Sequence, residues 1–268
     1  MGDDAAVEAL SPPSLKVLTY NVHKGFAPGN RRFVLHEIRE SLRETGADIL
    51  FLQEIQGRHE HRQAQVESWP EAPQAEFLAE GAWDHHRYAG HAVYAAGHHG
   101  NAILSRFPLQ EVRDLNLARM RFASRSLMHA VVRPPGMEGD LHLLCVHLDL
   151  IGFERRRQLR VLNRYLRDEV PAGAPLIMAG DFNDWRGRVG RFLDRRLELK
   201  EVFQESRGCH ARTFPAAWPL LTMDRIYYRG LTLKASECFT DAPWRELSDH
   251  APLCATFEPA ERCALRTG

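Results

Sequence analysis

Lysine is scarce in this sequence of 268 residues, because four of the 35 basic residues are lysine and the other 31 are arginine. Acidic residues also number 35, so the chain carries no net charge at neutral pH. The molecule as a whole therefore has no electrostatic field that would attract it to polyanions. This argues against a dedicated non-specific nucleic-acid binder. Arginine suits bidentate contacts with phosphate, although codon usage explains the same bias equally well.

Long apolar runs and paired cysteines are lacking as well. No stretch reaches the roughly 18 apolar residues that a transmembrane helix requires, and the N-terminus has early acids but no apolar segment of a secretory signal. The five cysteines are odd in number and show no paired spacing. This favours free thiols over a disulfide framework or a zinc site. We therefore expect a cytoplasmic protein with no integral membrane segment. The sequence does not indicate its oligomeric state.

Apolar residues make up 44% of the chain, enough for a proper core, and their spacing predicts alternating strands and helices. The predicted strands are 15–20, 48–53, 101–105, 126–132, 141–148, 176–179, 225–228, 231–234 and 251–257, and the predicted helices are 31–45, 154–168 and 189–193. This order indicates an α/β fold. We expect residues 56–98 to form a long excursion with one short helix. One domain is predicted over 15–258, between a disordered lead-in (1–14) and a tail (259–268).

The stretch 175–184 joins a predicted buried strand to polar side chains. Residues 176–179 are an uninterrupted apolar run, which suits a strand covered on both faces. Gly180 then allows the backbone to approach a ligand closely or to turn sharply. If the chain stays extended, Asp181 and Asn183 point to the same side. They would offer a carboxylate for water or a hard cation and an amide for a phosphoryl oxygen.

Polar side chains also stand at the mouths of five other predicted strands. They are Asn21, Glu54, His147, Asp224 and the adjacent Asp249 and His250. If the last two of these strands run antiparallel to their neighbours, the whole set converges on one rim, where α/β sheets usually bind ligands. Oxygen ligands dominate the set and cysteine is absent from it. The sequence therefore favours Mg²⁺ or Mn²⁺ over zinc.

Seven motifs carry a family resemblance, and they occur in the family's order along residues 15–257. They are LTYNVHKG (18–25), LQEI (52–55), GNAILSRFP (100–108), VHL (146–148), GDFN (180–183), MDRI (223–226) and SDH (248–250). On these motifs the chain resembles the endonuclease/exonuclease/phosphatase superfamily. It is most similar to the bacterial metal-dependent hydrolases within it, some of which are encoded beside cardiolipin synthases. The resemblance implies a DNase I-like four-layer α/β sandwich, two packed mixed β-sheets flanked by helices, and divalent-metal-dependent hydrolysis of phosphoesters.

The same resemblance implies a metal site. Glu54 would be the principal ligand of Mg²⁺ or Mn²⁺, with Asn21 beside it. Asp249 would complete the shell of the metal or of its water. These three assignments are expectations from the motifs that contain the residues.

The resemblance also implies catalytic roles. Asp181 would position or deprotonate the attacking water, and Asn183 would hold a phosphoryl oxygen. His250 would contact the phosphate or activate the water, and Asp224 would orient its imidazole. His147 would assist the leaving group or stabilise charge on phosphorus.

Four further residues are weaker candidates for substrate binding. Asn101 is either a wall of the site or a structural turn, and His23 and Lys24 follow Asn21 closely enough to reach a phosphate. Arg186, just past the GDFN motif, is either a phosphate contact or a solvent-facing arginine.

The predicted function is phosphoester hydrolysis, in the first place that of a phosphodiesterase in which an activated water attacks phosphorus in line. The substrate stays open among DNA or RNA, phospholipid headgroups and phosphomonoesters. Neutral charge and few lysines favour a small or lipid phosphoester slightly. The alternative from another class is a catalytically silent scaffold that keeps the fold to bind a partner.

Overall fold

The computed structural model describes residues 14–94, 97–117, 125–193 and 195–260, with the side chains of 91–94 left out. The predicted lead-in up to residue 13 and the tail beyond residue 260, including Cys263, lie outside the described residues. The other four cysteines are free thiols. The limits of the single predicted domain stay a prediction.

The described residues form strands and helices in a mixed order. The strands are β1 (Leu15–Asn21), β2 (Ile49–His59), β3 (His85–Tyr94), β4 (Gly97–Ser105), β5 (Gln110–Asn116), β6 (Ser126–Val132), β7 (Leu141–His147), β8 (Leu176–Asp181), β9 (Lys200–Glu201), β10 (Asp224–Arg229), β11 (Leu231–Cys238) and β12 (Leu253–Pro259). The α-helices are α1 (Leu35–Glu44), α2 (Glu60–Gln65), α3 (Gln74–Ala79), α4 (Gly152–Glu169), α5 (Val202–Arg207) and α6 (Trp244–Leu247). Residues 189–191 form a 3₁₀ turn where a short helix was predicted.

Two six-stranded mixed sheets pack face to face. The first sheet has the order β11-β12-β1-β2-β4-β3 and the second the order β5-β6-β7-β8-β10-β9. Strands β1 and β2 are parallel, as are β7 and β8, whereas β12 runs antiparallel to β1 and β10 antiparallel to β8. The ends of four strands and the starts of two others therefore meet at one edge of the sandwich, as the sequence predicts.

Three apolar layers hold the sandwich together. One lies between the sheets and includes Val17, Phe51 and Ile177. A second lies between the first sheet and helices α1, α3 and α6, and a third between the second sheet and α4. Burial of the apolar stripes of α1 and α4 drives this arrangement, because each helix exposes its polar face to water. The predicted four-layer α/β sandwich is confirmed.

Strand β2 is longer than predicted and is interrupted by a bulge. It continues past Glu54 to His59, and its pairing with β4 shifts between Leu52 and Ile55. Gln53 and Glu54 therefore share one partner position on β4, and Glu54 adopts a left-handed φ of 56°. A β-bulge redirects a side chain without ending the strand. The prediction that β2 ends at residue 53 is wrong for this reason.

The segment 56–98 is more regular than predicted. Instead of an excursion with one short helix, it contains the end of β2, helices α2 and α3, strand β3 and the start of β4. Strand β5 was not predicted either, because its side chains are mostly exposed and polar. Both β3 and β5 are edge strands, which need no buried apolar alternation. No helix among the described residues is long and apolar enough to cross a membrane.

Candidate active site

A cavity of about 550 Å³ opens at the edge where the strand ends and starts meet. Polar side chains make up most of its floor: Asn21, Glu54, Arg125, His147, Asp181, Asn183, Asp249 and His250. Apolar side chains make up its walls: Leu150, Trp185, Phe214, Leu221 and Met223. The structure thus brings together seven of the eight principal residues selected from the sequence. The eighth, Asp224, contacts the cavity residue His250 directly.

His250 is held between two buried carboxylates. Its Nδ1 atom lies 2.8 Å from Oδ2 of Asp224, and its Nε2 atom lies 3.9 Å from Oδ2 of Asp181. The ring of Phe214 packs at 5.1 Å between centroids. The possible ligand atoms of Asp181, Asp224 and His250 lie within 4.8 Å of one another, a spacing compatible with a metal ion. Because Asp224 and His250 are hydrogen-bonded to each other, we interpret them as an ion pair beside Asp181 and not as metal ligands.

The electrostatics of this group follow from burial and from the mutual charges. Burial alone would lower the pKa of His250, but the carboxylates of Asp224 and Asp181 outweigh it and raise that pKa to about 10. Burial raises the pKa of Asp181 to about 7; His250 opposes this rise and Asp224 adds to it. At neutral pH the imidazole is therefore cationic. Asp181 titrates in the range where a proton acceptor works best.

His147 lies at the end of β7, beside Asp181, and is paired with an arginine. Nη1 of Arg125 is 2.8 Å from Nε2 of His147, and that ring nitrogen is 3.5 Å from Oδ2 of Asp181. A guanidinium has no acceptor, so it donates and the ring nitrogen accepts. Burial, together with the Arg125 charge, holds the pKa of His147 well below its usual range. His147 is consequently neutral, and Arg125 carries the positive charge at this point of the cavity.

The two asparagines are fixed by hydrogen bonds that also fix the chain around them. Asn21 donates from Nδ2 to Oδ2 of Asp181 at 3.2 Å, and its Oδ1 accepts from the backbone N–H of His23. Asn183 donates from Nδ2 to the carbonyl of Leu148 at 2.9 Å, and its backbone N–H donates to Asp181. Asn183 has a φ of 51°, so the chain is not extended there. A turn, rather than strand alternation, brings it to the cavity beside Asp181.

Gly180 allows two neighbouring strands to approach each other closely. A Cβ at this position would lie 1.9 Å from the carbonyl oxygen of Val146 on β7, and its φ of +148° disfavours other residues. The expectation of close approach holds, but its partner is the neighbouring strand. The position of Asp181 thus depends on a glycine directly before it.

Glu54 projects from the β2 bulge into the cavity and forms an ion pair with Lys24. Burial would raise the pKa of this carboxyl, but the Lys24 ammonium holds it well below its usual range. Glu54 is therefore fully ionised at neutral pH and can serve as a ligand of a hard cation. Lys24, a weak candidate from the sequence, lies in contact with the predicted metal ligand. Lys24 and His23 both have left-handed φ angles, which turns this loop towards the site.

Asp249 lines the cavity next to the loop that carries His23. Its Oδ1 atom is 3.2 Å from Nδ1 of His23. Burial would raise the pKa of Asp249, but the neighbouring His23 and the charge of His250 lower it. Ser248 fixes this corner, because its hydroxyl donates to the carbonyl of Asn21 at 2.7 Å. The strand that carries Asn21 is thereby joined to the loop that carries Asp249 and His250.

None of the four weaker candidates lines the cavity, although His23 and Lys24 pair with the lining residues Asp249 and Glu54. Asn101 is buried in β4 and donates to Oγ of Ser126 at 3.0 Å, so it supports the start of β6 from the opposite sheet. Arg186 is exposed and lines a second cavity of about 290 Å³, adjacent to the first. Trp185 lines both cavities.

Arg125 is the polar residue that sequence reasoning missed, because it belongs to none of the seven motifs. A signal was available in the predicted hairpin of β6 and β7. Ser126 pairs with His147 in that hairpin, so the residue before Ser126 must lie near the end of β7. The apolar walls were missed because they come from irregular segments whose direction no periodicity determines.

These features match a known protein family. The model of the Endonuclease/Exonuclease/phosphatase family matches residues 18–250. The chain belongs to this family. Members of the family hydrolyse phosphoesters, commonly with divalent metal ions.

Relatives and solved structures agree with this membership. The chain is 43% identical over 242 residues to YbhP of Escherichia coli (strain K12), an uncharacterized protein, and the match covers 90% of this chain and 95% of YbhP. A family member from Bacteroides vulgatus has a similar structure, with a TM-score of 0.71, 17% identity and coverage of 92% and 100%. TDP2 of D. rerio, solved with a single-strand DNA product, gives a TM-score of 0.64, 20% identity and coverage of 91% and 99%. At these identities, the solved structures share the fold with this chain.

Proposed function

We propose that the chain is a phosphodiesterase that uses Mg²⁺ or Mn²⁺ and attacks phosphorus with a water activated in the cavity. The observation that carries the proposal is the meeting of Asp181, Asp224 and His250, whose ligand atoms lie within 4.8 Å of one another beside the cavity that Asp181 and His250 line. Pockets with convergent polar groups and perturbed pKa values are the usual sites of chemistry. A scaffold that only binds a partner would not require this arrangement.

The donor atoms of the cavity fit a hard divalent cation. Carboxylates of Glu54, Asp181 and Asp249 and amide groups of Asn21 and Asn183 line the cavity together, and none of the four described cysteines does. Such oxygen-rich sets suit Mg²⁺ or Mn²⁺. In our assignment Glu54 and Asn21 hold the ion and Asp249 completes its shell or that of its water. When bound, the ion supplies Lewis acidity and offsets negative charge that develops on the phosphoryl oxygens.

Asp181 is the group assigned to the attacking water. Its pKa is raised to about 7, so near neutral pH its carboxylate is present and is basic enough to accept a proton. Asn21 donates to one of its oxygens and the backbone of Asn183 to the other, which fixes the carboxylate plane. This support leaves Asp181 able to aim the water as well as to take its proton.

His250 and Arg125 supply positive charge from the protein itself. The raised pKa of His250 keeps its imidazole protonated, so it donates towards the substrate phosphate and does not act as the base. Arg125 contributes a second cation beside His147. Preorganised donors of this kind stabilise charge that builds up on phosphorus oxygens during in-line attack. We therefore assign His250 to phosphate contact and not to activation of the water.

The test is hydrolysis of bis-p-nitrophenyl phosphate by the full chain, with Mg²⁺ or Mn²⁺ and with EDTA. The proposal expects release of p-nitrophenol that depends on the metal and disappears in Asp181→Asn. The matched control is Asp241→Asn, because Asp241 is an exposed carboxylate outside the cavity. Plasmid nicking, oligonucleotide digestion and phospholipid hydrolysis with the same preparation divide the possible substrates. Metal-independent release, or no release from any of these phosphoesters, would contradict the proposal.

A further inference from the structure

The exposed apolar side chains of this protein are concentrated around the mouth of the catalytic cavity. Among the described residues, nine large apolar side chains are exposed, and eight of them belong to the segments 150–153, 185–192 and 214–221. We call these three the mouth segments. Leu150, Trp185 and Leu221 line the catalytic cavity itself. Apolar side chains exposed together in this way mark an interaction surface.

The segment 214–221 presents its apolar side chains at the tip of a tight turn. Phe214 and Leu221 pair as an isolated bridge, and between them Trp218 is 74% exposed and Leu220 57% exposed. In the segment 150–153, Phe153 is 60% exposed. None of these three side chains lines the catalytic cavity. They are therefore available for contact with something larger than a small substrate.

Arginines stand directly beside the apolar side chains. Arg156, Arg186 and Arg188 are exposed, line the second cavity, and form no ion pair within the part of the chain that the structure describes. The buried guanidinium of Arg155 stacks over Trp185 at 5.0 Å, so the wall between the two cavities is itself cationic and aromatic. Because the whole chain has no net charge, attraction to an anionic surface has to come from a local group of arginines such as this one. The mouth is therefore complementary to an anionic surface.

The combination of these two features selects one class of partner. Apolar side chains beside unpaired arginines suit the interface of an anionic bilayer, where the apolar groups enter the acyl boundary and the arginines meet phosphates. Single-stranded nucleic acid also attracts arginine, but it binds by base stacking on aromatic rings. Half of the eight exposed side chains are leucine or isoleucine, which have no ring to stack on. The aliphatic share therefore favours lipid.

We propose that the mouth segments dock on an anionic phospholipid surface, and that the phosphodiester entering the cavity belongs to a lipid. The second clause rests on the proposed phosphodiesterase function, whereas the docking does not. Docking would place the catalytic cavity against the headgroup layer, since the same segments form its walls. A lipid phosphodiester would then reach the cavity without leaving the bilayer.

Docking is measured by flotation with vesicles in EDTA, where no metal-dependent turnover occurs. The vesicles contain either phosphatidylcholine alone or three parts phosphatidylcholine to one part phosphatidylglycerol. The full chain is expected to float with the anionic vesicles. Trp218→Ala/Leu220→Ala is expected to bind the anionic vesicles at least about tenfold more weakly than the wild type. Val161→Ala, which changes the remaining exposed apolar side chain, is expected to bind as the wild type does.

The contribution of the arginine charges is tested with two matched double variants. Arg156→Glu/Arg188→Glu is expected to weaken vesicle binding about 30-fold or more, because each basic residue near the surface contributes substantially to binding. Arg87→Glu/Arg164→Glu makes the same charge change at exposed positions away from the mouth. Arg87 lies on β3 near the opposite end of its sheet, and Arg164 lies about 12 Å farther along α4 than Arg156. This control is expected to keep most of the binding.

Three outcomes overturn the docking proposal. The first is equal flotation of the protein with both vesicle types, and the second is an equal loss of vesicle binding in the two arginine double variants. The third is that the protein binds a labelled oligonucleotide but no vesicles, and that the mouth variants abolish this oligonucleotide binding. Hydrolysis separates the two proposals. Trp218→Ala/Leu220→Ala should keep wild-type turnover of bis-p-nitrophenyl phosphate and lose turnover of phosphatidylglycerol in vesicles. Vesicle binding with no hydrolysis of any phosphoester in the panel would support docking and contradict the phosphodiesterase function alone.

Discussion

The hydrogen bond between Nδ1 of His250 and Oδ2 of Asp224, 2.8 Å long, connects the two sheets of the protein. His250 precedes β12 in the first sheet, and Asp224 begins β10 in the second. The bond therefore forms only when both sheets are in place. It also holds the pKa of His250 above its ordinary value, because the Asp224 carboxylate stabilises the imidazolium.

Loss of this carboxylate should move the alkaline limit of activity. In Asp224→Asn the pKa of His250 falls towards its ordinary value, so the imidazolium is lost at lower pH than in the wild type. We expect turnover of bis-p-nitrophenyl phosphate to decline from a lower pH, and His250→Ala to lose about 100-fold or more at all pH values. The pH profile of kcat is the measurement. An unchanged alkaline limb in Asp224→Asn would contradict the assigned pairing.

The acid limb should report Asp181. Because its pKa is raised to about 7, the carboxylate is lost by protonation as pH falls through that value, and the water loses its acceptor. Activity should decline with falling pH, with an apparent pKa at or below about 7, since a bound cation would lower it. The pH dependence of kcat/KM measures this limb. A rate that rises on acidification below pH 7 would exclude Asp181 as the base.

Glu54→Gln should weaken metal binding specifically. The variant keeps the size of the side chain but removes its charge, so we expect the Mg²⁺ concentration for half-maximal activity to rise about tenfold or more. Calorimetric titration with Mg²⁺ provides a second measurement that needs no substrate. Glu60→Gln, at an exposed carboxylate in α2, is the control. The same Mg²⁺ titration in Glu54→Gln and wild type would count against Glu54 as a ligand.

Arg125→Gln tests the residue that the motifs do not contain. Removal of a cation aimed at the site should lower kcat by about 10² to 10³. The pKa of His147 should also rise towards its ordinary value, because Arg125 contributes to lowering it. Turnover and the NMR titration of His147 measure the two effects. Arg58→Gln, an exposed arginine in β2, controls for loss of charge alone; if the NMR titration of His147 is unaltered in Arg125→Gln, the pairing is wrong.

A buried histidine outside the site should make stability depend on pH. His129 lies between the hydroxyl of Tyr165 at 2.8 Å and Nδ1 of His142 at 3.0 Å. Burial, together with His142, lowers the pKa of His129 to about 4. The unfolded chain takes up this proton near pH 6.5 and the folded chain only near pH 4. The free energy of unfolding should therefore fall as pH falls from about 6.5 to about 4.

Urea denaturation at several pH values in this window measures the effect. His129→Gln should reduce the pH dependence, whereas His61→Gln, at an exposed histidine, should leave it as in the wild type. An equal pH dependence in His129→Gln and wild type would show that His129 is not its source.

The sequence predicts the features that follow from the spacing and burial of apolar residues. It does not predict those that depend on local backbone geometry. Apolar runs such as 176–179 predicted the inner strands, and the motifs selected the polar residues that meet in the cavity. The bulge that aims Glu54 was missed because an extra residue in a strand leaves no mark on apolar spacing. The turn at Asn183 was missed for a similar reason. Trp185 and Trp218 belong to irregular segments, whose direction depends on tertiary contacts.

The position of β12 has a consequence for biosynthesis. This strand, close to the C-terminal end of the described chain, inserts between β11 and β1, so the first sheet stays divided until it is made. The second sheet, by contrast, is formed by one continuous stretch, residues 110–229. A chain still emerging from the ribosome can therefore assemble the sheet that carries Asp181 and Asp224 before His250 is available. Enzymatic activity should appear only with the final strand, which makes it a sensitive reporter of completed synthesis and folding.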